Sequence, residues 1–590
     1  MPDQEITSSL EKLIQIGLAL SAEKDTDSLM ERILLEAKDM GNADGGTLYI
    51  RTDDDTLKFQ IVRTDSLDFK MGGTSGNEIT EDKFPPQQMY IDGEPNHKGV
   101  VSLAALTGET VRIDDAYETE EYDFSGAKKM DEGTGYRSTS FLAVPLKNHQ
   151  EHVIGVLQLL NALDPDSGEI IPFSEEIQPL IEALASQAAV AYENQQLLDA
   201  QVHLLDSFIE LMATAVDAKS HYTGGHCVRV PLLTEMLSEA ACKETRGPFA
   251  DYDLNDDERY ELHIAAWLHD CGKVTTPEYV VDKATKLETI TDRIHEIRMR
   301  FEVVKREAII EYQQALLDGT GDEEALKKEL DDRLAKLDDD FVFLAECNLG
   351  GEFMAPDKIA RVEEIAKIEW TRTLNDRLGI ADEELRRKER VGPVELPVKE
   401  NLLSDRQDHI VDQDSVIHAA DPSNPYGFKL TVPEHKYNLG EVYNLCIQKG
   451  TLTIEEHFKI KDHIVQTIVM LQQLPFPKHL DRVPEYAGGH HEKMDGTGYP
   501  KCLDKSEMPL PARIMAIADI FEALTAADRP YKPPKTLSES IQIMSYMVKD
   551  EHIDDELFRL FLESGVYKEY AEEFLSASQI DEVDVAQYLN

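Results

Sequence analysis

Two short stretches in the second half of the chain decide how that half folds: AAWLHDCGKV at Ala265–Val274 and AGGHHEKMDGTGYP at Ala487–Pro500. The first places the pair His269-Asp270 at the end of an apolar helical run, and the second contains the adjacent pair His490-His491. Imidazole and carboxylate groups are ligands suited to first-row divalent metals such as iron or manganese. The two stretches therefore predict a metal centre inside a helical domain.

Three further stretches carry the same kinds of side chain. His226 lies in HYTGGHCVRV, His463 in IEEHFKIKDHIV, and Asp519 in ARIMAIADIFEALTAADRPYK. A single histidine on an apolar helix is usually a core residue whose hydrogen bonds are satisfied. Five histidines in separate contexts, together with two aspartates, favour a shared metal site over independent core positions.

At this point the sequence resembles a known family. LHDCGK and HHEKMDGTGYP match the two motifs that name the HD-GYP family, cyclic di-GMP phosphodiesterases within the HD metal-dependent phosphohydrolases. The stretches Tyr222–Val230 and Ala512–Lys532 are similar to the patterns that flank those motifs. The resemblance implies an all-α domain that hydrolyses cyclic di-GMP to pGpG, with GMP as a further product, through a hydroxide activated by two metals.

The resemblance also implies roles for individual residues, as follows. The ligands of two divalent transition-metal ions, iron or manganese, are His226, His269, Asp270, His463, His490, His491 and Asp519. Lys273 faces the scissile phosphate and shares the catalytic role with Asp270, and the substrate-binding residues are Gly498, Tyr499, Pro500 and Arg513. Arg513 and Arg529 either contact phosphate or tie helices together. Some relatives bind a third metal through a Glu at the position of Tyr222, so two metals are expected here.

One part of the family pattern is displaced. A stretch that normally follows the His-Asp motif closely begins at Lys286-Leu287, diverges, and appears in full only at GTLTIEEHFKIKDH, Gly450–His463. Residues 288–449 are therefore expected to form a mostly helical insertion. His295 lies near the ordinary spacing and is the rival ligand, but the complete pattern around His463 favours His463.

The first third of the chain has a different periodicity. Short β-rich runs are predicted as strands at Thr47–Ile50, Leu57–Val62, Val111–Ile113, Ser140–Leu146 and Val153–Leu160. Helical patterns precede and follow them, which predicts an α+β unit with an antiparallel sheet. The run FLAVPLKNHQEHVIGVLQLLNA and the helix after it resemble the GAF sensory domain. The resemblance implies a ligand of unknown identity, with a cyclic nucleotide as one candidate because Met130–Leu146 resembles a nucleotide-pocket region. A purely structural role is the alternative.

Between the two parts runs a heptad seam in alternating steps of four and three. Its members are Ile177, Ile181, Leu184, Ala188, Ala191, Gln195, Leu198, Val202, Leu205, Ile209, Met212 and Val216. The seam predicts a parallel coiled coil that links sensor to effector, and hence a homodimer, with Gln195 helping to fix the register. The alternative is a long helix that packs only on its own domains.

The amino-acid composition limits the classes of partner that the protein is expected to bind. The 590 residues include 114 Asp and Glu against 60 Lys and Arg, a net charge of −54, which disfavours binding to nucleic acid or to anionic lipid. No apolar run reaches the ~18 residues of a spanning helix, and the N-terminus does not read as a signal peptide, so membrane insertion is not expected and a cytoplasmic location is. The six cysteines form no CxxC pair, which argues against a thiolate zinc site.

The expected architecture is therefore multidomain. The predicted parts are a GAF-like domain at 1–175, a coiled-coil linker helix at 176–216, an HD-type domain at 217–287 and 450–590, and the insertion at 288–449. The expected enzyme is a cyclic di-GMP phosphodiesterase regulated through the GAF-like domain. Two alternatives stay open: a hydrolase of another cyclic dinucleotide or nucleotide phosphodiester, and a signalling adaptor that acts by partner binding.

Overall fold

A computed structural model describes residues 13–20, 23, 25–219, 225–351, 353–414, 418–420, 424–527 and 534–589. The chain divides into two compact units, one ending at Leu205 and the other beginning at Asp206. None of the helices in the described ranges is both long and apolar enough to cross a bilayer. All six cysteines are free thiols.

The first unit is built on an antiparallel sheet. Its strands are β1 Ala43–Arg51, β2 Thr56–Thr64, β3 Phe69–Gly72, β4 Gln87–Gln88, β7 Val111–Ile113, β8 Phe141–Lys147, β9 Val153–Leu163 and β10 Ile170–Ile171, while β5 Tyr90–Ile91 and β6 Glu94–Pro95 form a separate hairpin. The main path runs β3-β2-β1-β9-β8-β7, so β1 lies at the centre between β2 and β9. Each of the five predicted strands is present, with ends that differ by up to four residues.

Successive side chains of a strand point to opposite faces of the sheet, and apolar residues on both faces of this sheet are buried. Leu142 and Val144 belong to one apolar cluster, and Phe141 and Ala143 belong to another. The first cluster is covered by α1 (Thr26–Met40), a helical stretch at 13–20 and the start of α4 (Gln178–Asp217), and the second by α2 (Val100–Thr107). The remaining helix of this unit is α3 (Ser125–Thr134). The predicted α+β unit with an antiparallel sheet is confirmed.

The predicted seam lies on one continuous helix, α4, and its residues form three parts that differ in burial. Ile181, Leu184 and Ala188 are buried in the core of the first unit, and Ile209 and Val216 are buried in cores of the second. Between them lies a stretch of exposed apolar residues, which are Leu197, Leu198, Val202, Leu204, Leu205, Phe208 and Leu211. The ends of the seam therefore pack within their own units, and only the middle presents an unpaired apolar face.

The second unit is mainly helical. Its helices are α5 His226–Lys243, α6 Asp256–Leu268, α7 Glu278–Val281, α8 Ile294–Asp318, α9 Glu323–Asn348, α10 Pro356–Ala366, α11 Asp382–Glu389, α12 Glu441–Leu445, α13 Ile454–Gln472, α14 Val483–Gly488, α15 Leu510–Thr525, α16 Leu537–Lys549, α17 Asp555–Glu563 and α18 Val566–Phe574. One core cluster joins α5 with α15–α18, and a second joins α6, α13 and α14. Helices α6 and α13 both begin with capping boxes, Asn255 with Glu258 and Thr453 with Glu456, which fix the start of two helices that approach the site.

The segment predicted as an insertion contains more than helices. Alongside α8–α12 it forms two short antiparallel ladders, β11 (Glu369–Arg372) with β12 (Val398–Asn401), and β13 (Ile410–Asp412) with β14 (His435–Asn438). The prediction of a mostly helical segment did not include these strands. Glu369–Arg372, Val398–Asn401 and His435–Asn438 are rich in polar and charged residues, unlike the β-rich runs from which the strands of the first unit were predicted.

The two ends of the segment predicted as an insertion lie close together, and we call this junction, formed by Lys283 and Glu456, the neck. Lys283, shortly before it, donates from Nζ to both carboxylate oxygens of Glu456, shortly after it, at 2.8 Å, and both side chains are almost fully buried. Lys286 Nζ donates to the carbonyl oxygens of Leu445 and Ile447 at 2.9 and 2.8 Å. The two ends of the segment are thus held side by side.

The core around α15 yields a stability prediction. Phe561 is fully buried and its ring centroid lies 5.0 Å from that of Phe521. Phe561→Ala should lower the free energy of unfolding of the second unit by about 3–5 kcal/mol, because it removes apolar contact and leaves a cavity. Phe574→Ala, at a ring that is 37% exposed, is the matched control and should cost clearly less. Denaturant titration followed by circular dichroism measures both, and equal losses would contradict this account of the core.

Candidate metal centre

Seven predicted ligands converge from five places in the second unit. His226 is the first residue of α5, His269-Asp270 directly follow α6, and His463 lies within α13. His490-His491 follow α14, and Asp519 lies within α15. They form two groups, in each of which one potential ligand atom per residue lies within 4.8 Å of every other. The first group is His226, His269, Asp270 and Asp519, and the second is Asp270, His463, His490 and His491.

Asp270 belongs to both groups. Its Oδ2 lies 3.2 Å from His226 Nε2 and 3.1 Å from His269 Nε2, and its Oδ1 lies 3.3 Å from His463 Nε2. Asp519 Oδ1 lies 3.2 Å from His226 Nε2. A carboxylate with one oxygen turned to each group is the arrangement needed to bridge two cations.

Hydrogen bonds at Nδ1 orient four of the five imidazoles. His269 and His490 donate from Nδ1 to the carbonyl oxygens of Ala266 and Ala487, each at 2.7 Å. His463 donates in the same way to the carbonyl oxygen of Ile460, and His226 donates to the Glu522 carboxylate. A proton held at Nδ1 leaves the lone pair of Nε2 facing the group, which is the form of histidine that binds a metal.

This arrangement leaves acceptors that need a cation. The Nε2 atoms of His226 and His269 face each other at 3.4 Å. Two lone pairs at that distance repel unless a proton or a metal ion lies with them. His490 Nε2 is buried and has no hydrogen-bond partner in the described part of the chain, a costly state for a polar atom. The residues therefore fit divalent transition metals.

The charges of the groups agree with that fit. Burial, assisted by the nearby His269, lowers the pKa of His490 to about 4. Burial would raise the pKa of Asp270, but Lys273 and the histidines lower it well below its ordinary value. Burial opposes charge on His226, yet Asp270, Asp519 and Glu522 raise its pKa. The carboxylates therefore favour positive charge at this position.

Lys273 and Tyr499 border the two groups. Lys273 Nζ donates to Asp270 Oδ2 at 2.5 Å, with 29% of its side chain exposed. The Tyr499 ring stacks on His491 with centroids 4.9 Å apart. Gly498 permits this loop to form, because a Cβ there would lie 2.3 Å from the backbone nitrogen of Lys493. Pro500 follows Tyr499 through a cis peptide bond.

Two further glutamates support the site, and the sequence did not single them out. Glu522 is buried and accepts from His226 Nδ1 and from Arg229 Nε and Nη2, the last two at 2.8 and 2.6 Å. Its only sequence signal is its position three residues after Asp519, on the same face of α15. Glu492 accepts from the backbone nitrogens of Lys501 and Leu503 at 2.6 and 2.9 Å and so braces the loop that carries Tyr499.

Other predicted residues lie elsewhere. Arg513 Nη1 donates to Asp554 Oδ2 at 2.5 Å, which ties α15 to the start of α17, so its contact with substrate stays a prediction. His295 is exposed and its Nδ1 lies 2.7 Å from Arg298 Nη1, outside both groups. Tyr222 and Arg529 lie outside the described residues.

Comparison with protein families identifies both parts of the chain. The family profile of the GAF domain matches residues 25–192, and that of the HD domain matches residues 397–557. The chain carries a GAF domain and an HD domain. The HD match contains His463, His490, His491 and Asp519, whereas the other predicted ligands precede residue 397.

Curated relatives align with part of this chain. The 3′3′-cGAMP-specific phosphodiesterase 1 of Vibrio cholerae is 38% identical over 116 residues, 20% of this chain and 26% of the relative. A cyclic di-GMP phosphodiesterase of Thermotoga maritima is 38% identical over 98 residues, 17% of this chain and 26% of the relative. The chain thus spans about a quarter of the length of these relatives. Among solved structures, the GAF domain of an Acinetobacter phosphoenolpyruvate-protein phosphotransferase aligns at 15% identity with a TM-score of 0.24, over 33% of this chain and 98% of that one.

The choice between His463 and His295 gives a direct test of the site. His463→Ala should lower the metal content of the purified protein, because it removes a buried Nε2 from one group. His295→Ala should leave the metal content unchanged and cost at most about 1 kcal/mol of stability, as expected at an exposed position. Elemental analysis after gel filtration measures both variants.

The same measurement applies to the adjacent pair. The unmodified chain should hold close to two transition-metal ions, and the double variant His490→Ala, His491→Ala should lose at least one. Loss of metal from the His295 variant, with full occupancy of the His463 variant, would contradict the proposed site.

Proposed function

We propose that this protein is a metal-dependent cyclic dinucleotide phosphodiesterase whose substrate is cyclic di-GMP. The observation that carries the proposal is the Asp270 carboxylate, which faces two groups of buried or half-buried histidines with one oxygen each. The class of substrate comes from the names of the relatives, which are phosphodiesterases of cyclic di-GMP or 3′3′-cGAMP.

The seven candidate ligands form two sets, one for each proposed metal ion. His226, His269 and Asp519 would hold one divalent ion, His463, His490 and His491 a second, and Asp270 would contribute to both. When bound, such a pair of ions polarises a phosphodiester and lowers the pKa of a water molecule towards neutrality. The Nδ1 hydrogen bonds to Ala266, Ala487 and Ile460 keep the ligating nitrogens in place during turnover.

Lys273 is the side chain best placed to act on the substrate itself. Burial lowers its pKa, but Asp270 and Asp519 outweigh that effect and raise the pKa above its ordinary value. The ammonium group therefore stays protonated at neutral pH. Because part of the side chain is exposed, the group can stabilise negative charge on phosphoryl oxygens and supply a proton to the leaving 3′-oxygen.

The aromatic wall of the site suits a nucleotide. Tyr499 presents a ring that is fixed by its stacking on His491, and the Lys461 Nζ lies 5.4 Å from its centroid. An aromatic ring and a cation close to the histidines provide contacts for a base and a phosphate. We propose pGpG as the first product, and GMP as the product of a second hydrolysis.

A hydrolysis assay with matched lysine variants tests this proposal. Lys273→Met should lower kcat by roughly 10²–10³-fold, the usual loss when one charge-stabilising donor is removed. Lys478→Met, at an exposed lysine, is the control and should keep full activity. Chromatography of the products from cyclic di-GMP and from 3′3′-cGAMP, with manganese or iron supplied, measures rate, product and substrate preference together.

The outcomes separate the alternatives. Preference for 3′3′-cGAMP would move the substrate to the other cyclic dinucleotide named among the relatives. A chain that binds two metals but hydrolyses neither dinucleotide would overturn the enzymatic proposal and favour an adaptor.

We further infer that the GAF domain regulates the HD domain of a parallel homodimer. The support is the exposed apolar stretch in the middle of α4, which contains Leu198 and Leu205. Pairing this stretch with that of a second chain would bury it, and apolar burial drives association. A ligand of the GAF domain, whose identity is open, would then act through a helix shared by both units.

The dimer prediction has a simple measurement. The unmodified chain should give a mass about twice 66.5 kDa by light scattering. Leu198→Lys together with Leu205→Lys should shift the mass towards the monomer, because charge would be buried in the seam. A monomeric unmodified chain would rule the coiled coil out.

A further inference from the structure

The predicted insertion encloses a cavity of its own. A cavity of about 1040 Å³ is lined by residues between Arg293 and Val442 and by none of the seven candidate metal ligands. Its walls come from the start of α8, from the ladder of β11 and β12, from α11, and from the 3₁₀ turn Gln407–His409. A cavity of this size accommodates a small organic ligand.

The lining is rich in cations for so acidic a protein. Lys and Arg are as numerous as Asp and Glu around the cavity, although the whole chain has 60 of the former against 114 of the latter. Several lining carboxylates are neutralised by ion pairs within the wall. These pairs are Arg372 with Glu400 at 2.9 Å, Arg406 with Asp408 at 2.8 Å, Lys388 with Asp376 at 3.1 Å, and Arg300 with Glu441 at 2.9 Å.

Two guanidinium groups of the lining have donors without acceptors. Arg293 Nη2 and Arg387 Nε are buried atoms that have no hydrogen-bond partner among the residues that the structure describes. Arg387 also forms no ion pair with any described carboxylate. A buried charged donor without an acceptor is costly, so both atoms call for an anionic acceptor from outside the chain. Guanidinium groups match phosphate oxygens in geometry and charge.

The rest of the cavity wall carries groups that can contact the base and the ribose of a nucleotide. Trp370 is half-buried on β11, where its backbone is held by the ladder opposite Glu400. An indole at a cavity wall offers a surface on which a base stacks. The side-chain carboxylates of Glu363 and Glu384 line the cavity and form no hydrogen bond or ion pair with described residues. Their carboxylates can accept from ribose hydroxyls or base amino groups, which inorganic phosphate lacks.

We propose that this cavity binds a nucleoside 5′-phosphate, with its phosphate at Arg293 and Arg387 and its base at Trp370. The site is separate from the metal centre, and the proposal stands whether or not that centre hydrolyses cyclic dinucleotides.

The chain contains two tryptophans, Trp267 and Trp370, which permits a specific test. In full-length protein with Trp267→Phe, Trp370 is the sole tryptophan, and its fluorescence should change in a saturable way on titration with AMP or GMP. Calorimetry on the same samples should give the same dissociation constant. Adenosine, guanosine and inorganic phosphate should each bind at least about tenfold more weakly, because each lacks half of the contacts.

Matched arginine variants locate the phosphate. Arg387→Gln should weaken binding about tenfold or more. Arg386→Gln removes the same charge from the same helix at an exposed residue outside the cavity, and should leave the dissociation constant within about twofold. His463→Ala should also leave binding unchanged, because the metal centre takes no part.

Three results would overturn the proposal. They are the absence of both heat and fluorescence change, equal weakening by Arg386→Gln and Arg387→Gln, and loss of binding in the His463→Ala protein. The last of these would place the nucleotide at the metal centre.

Discussion

The buried carboxylate of Asp270 is the constraint around which the second unit is arranged. An ionised carboxylate that is almost fully removed from water is stable only when cations and donors surround it. Here His226, His269 and Lys273 approach within 3.2 Å. Each of these three residues comes from the end of a helix or from the turn beside it. The need to surround one buried anion therefore constrains how α5 and α6 pack against each other.

The same constraint explains two close backbone contacts. Gly272 lies against α13 so tightly that a Cβ would be 2.0 Å from the His463 carbonyl oxygen. Its backbone nitrogen donates to Thr467 Oγ1 at 2.9 Å. The turn after Asp270 and the helix that carries His463 are therefore in direct contact, which sets the positions of the two groups of candidate ligands relative to each other.

Much of this arrangement was predictable, and the failures have physical causes. The five predicted strands of the GAF domain follow from β-rich runs bounded by turn residues, and the seven candidate ligands follow from motifs that each lie in one uninterrupted stretch of sequence. Glu522 was not predictable as a support, because a glutamate on a helix has the same sequence pattern whether it meets water or a histidine. The burial of the ends of the α4 seam was not predictable, because heptad spacing cannot distinguish Leu184, which faces its own sheet, from Leu198, which is exposed. The coiled coil itself stays a prediction.

The neck formed by Lys283 and Glu456 has a consequence for how this protein can change over evolutionary time. Where a segment leaves and rejoins a domain at one point, its length is no longer coupled to the geometry of the domain. Part of the segment predicted as an insertion is tied to the candidate metal centre, because Ala419 and Phe428 pack against Val465 and Ile468 of α13, and the Lys429 backbone nitrogen donates to the Pro500 carbonyl oxygen at 2.8 Å. Changes in the length of the segment are therefore expected to accumulate away from that contact, where no helix of the metal centre would be displaced.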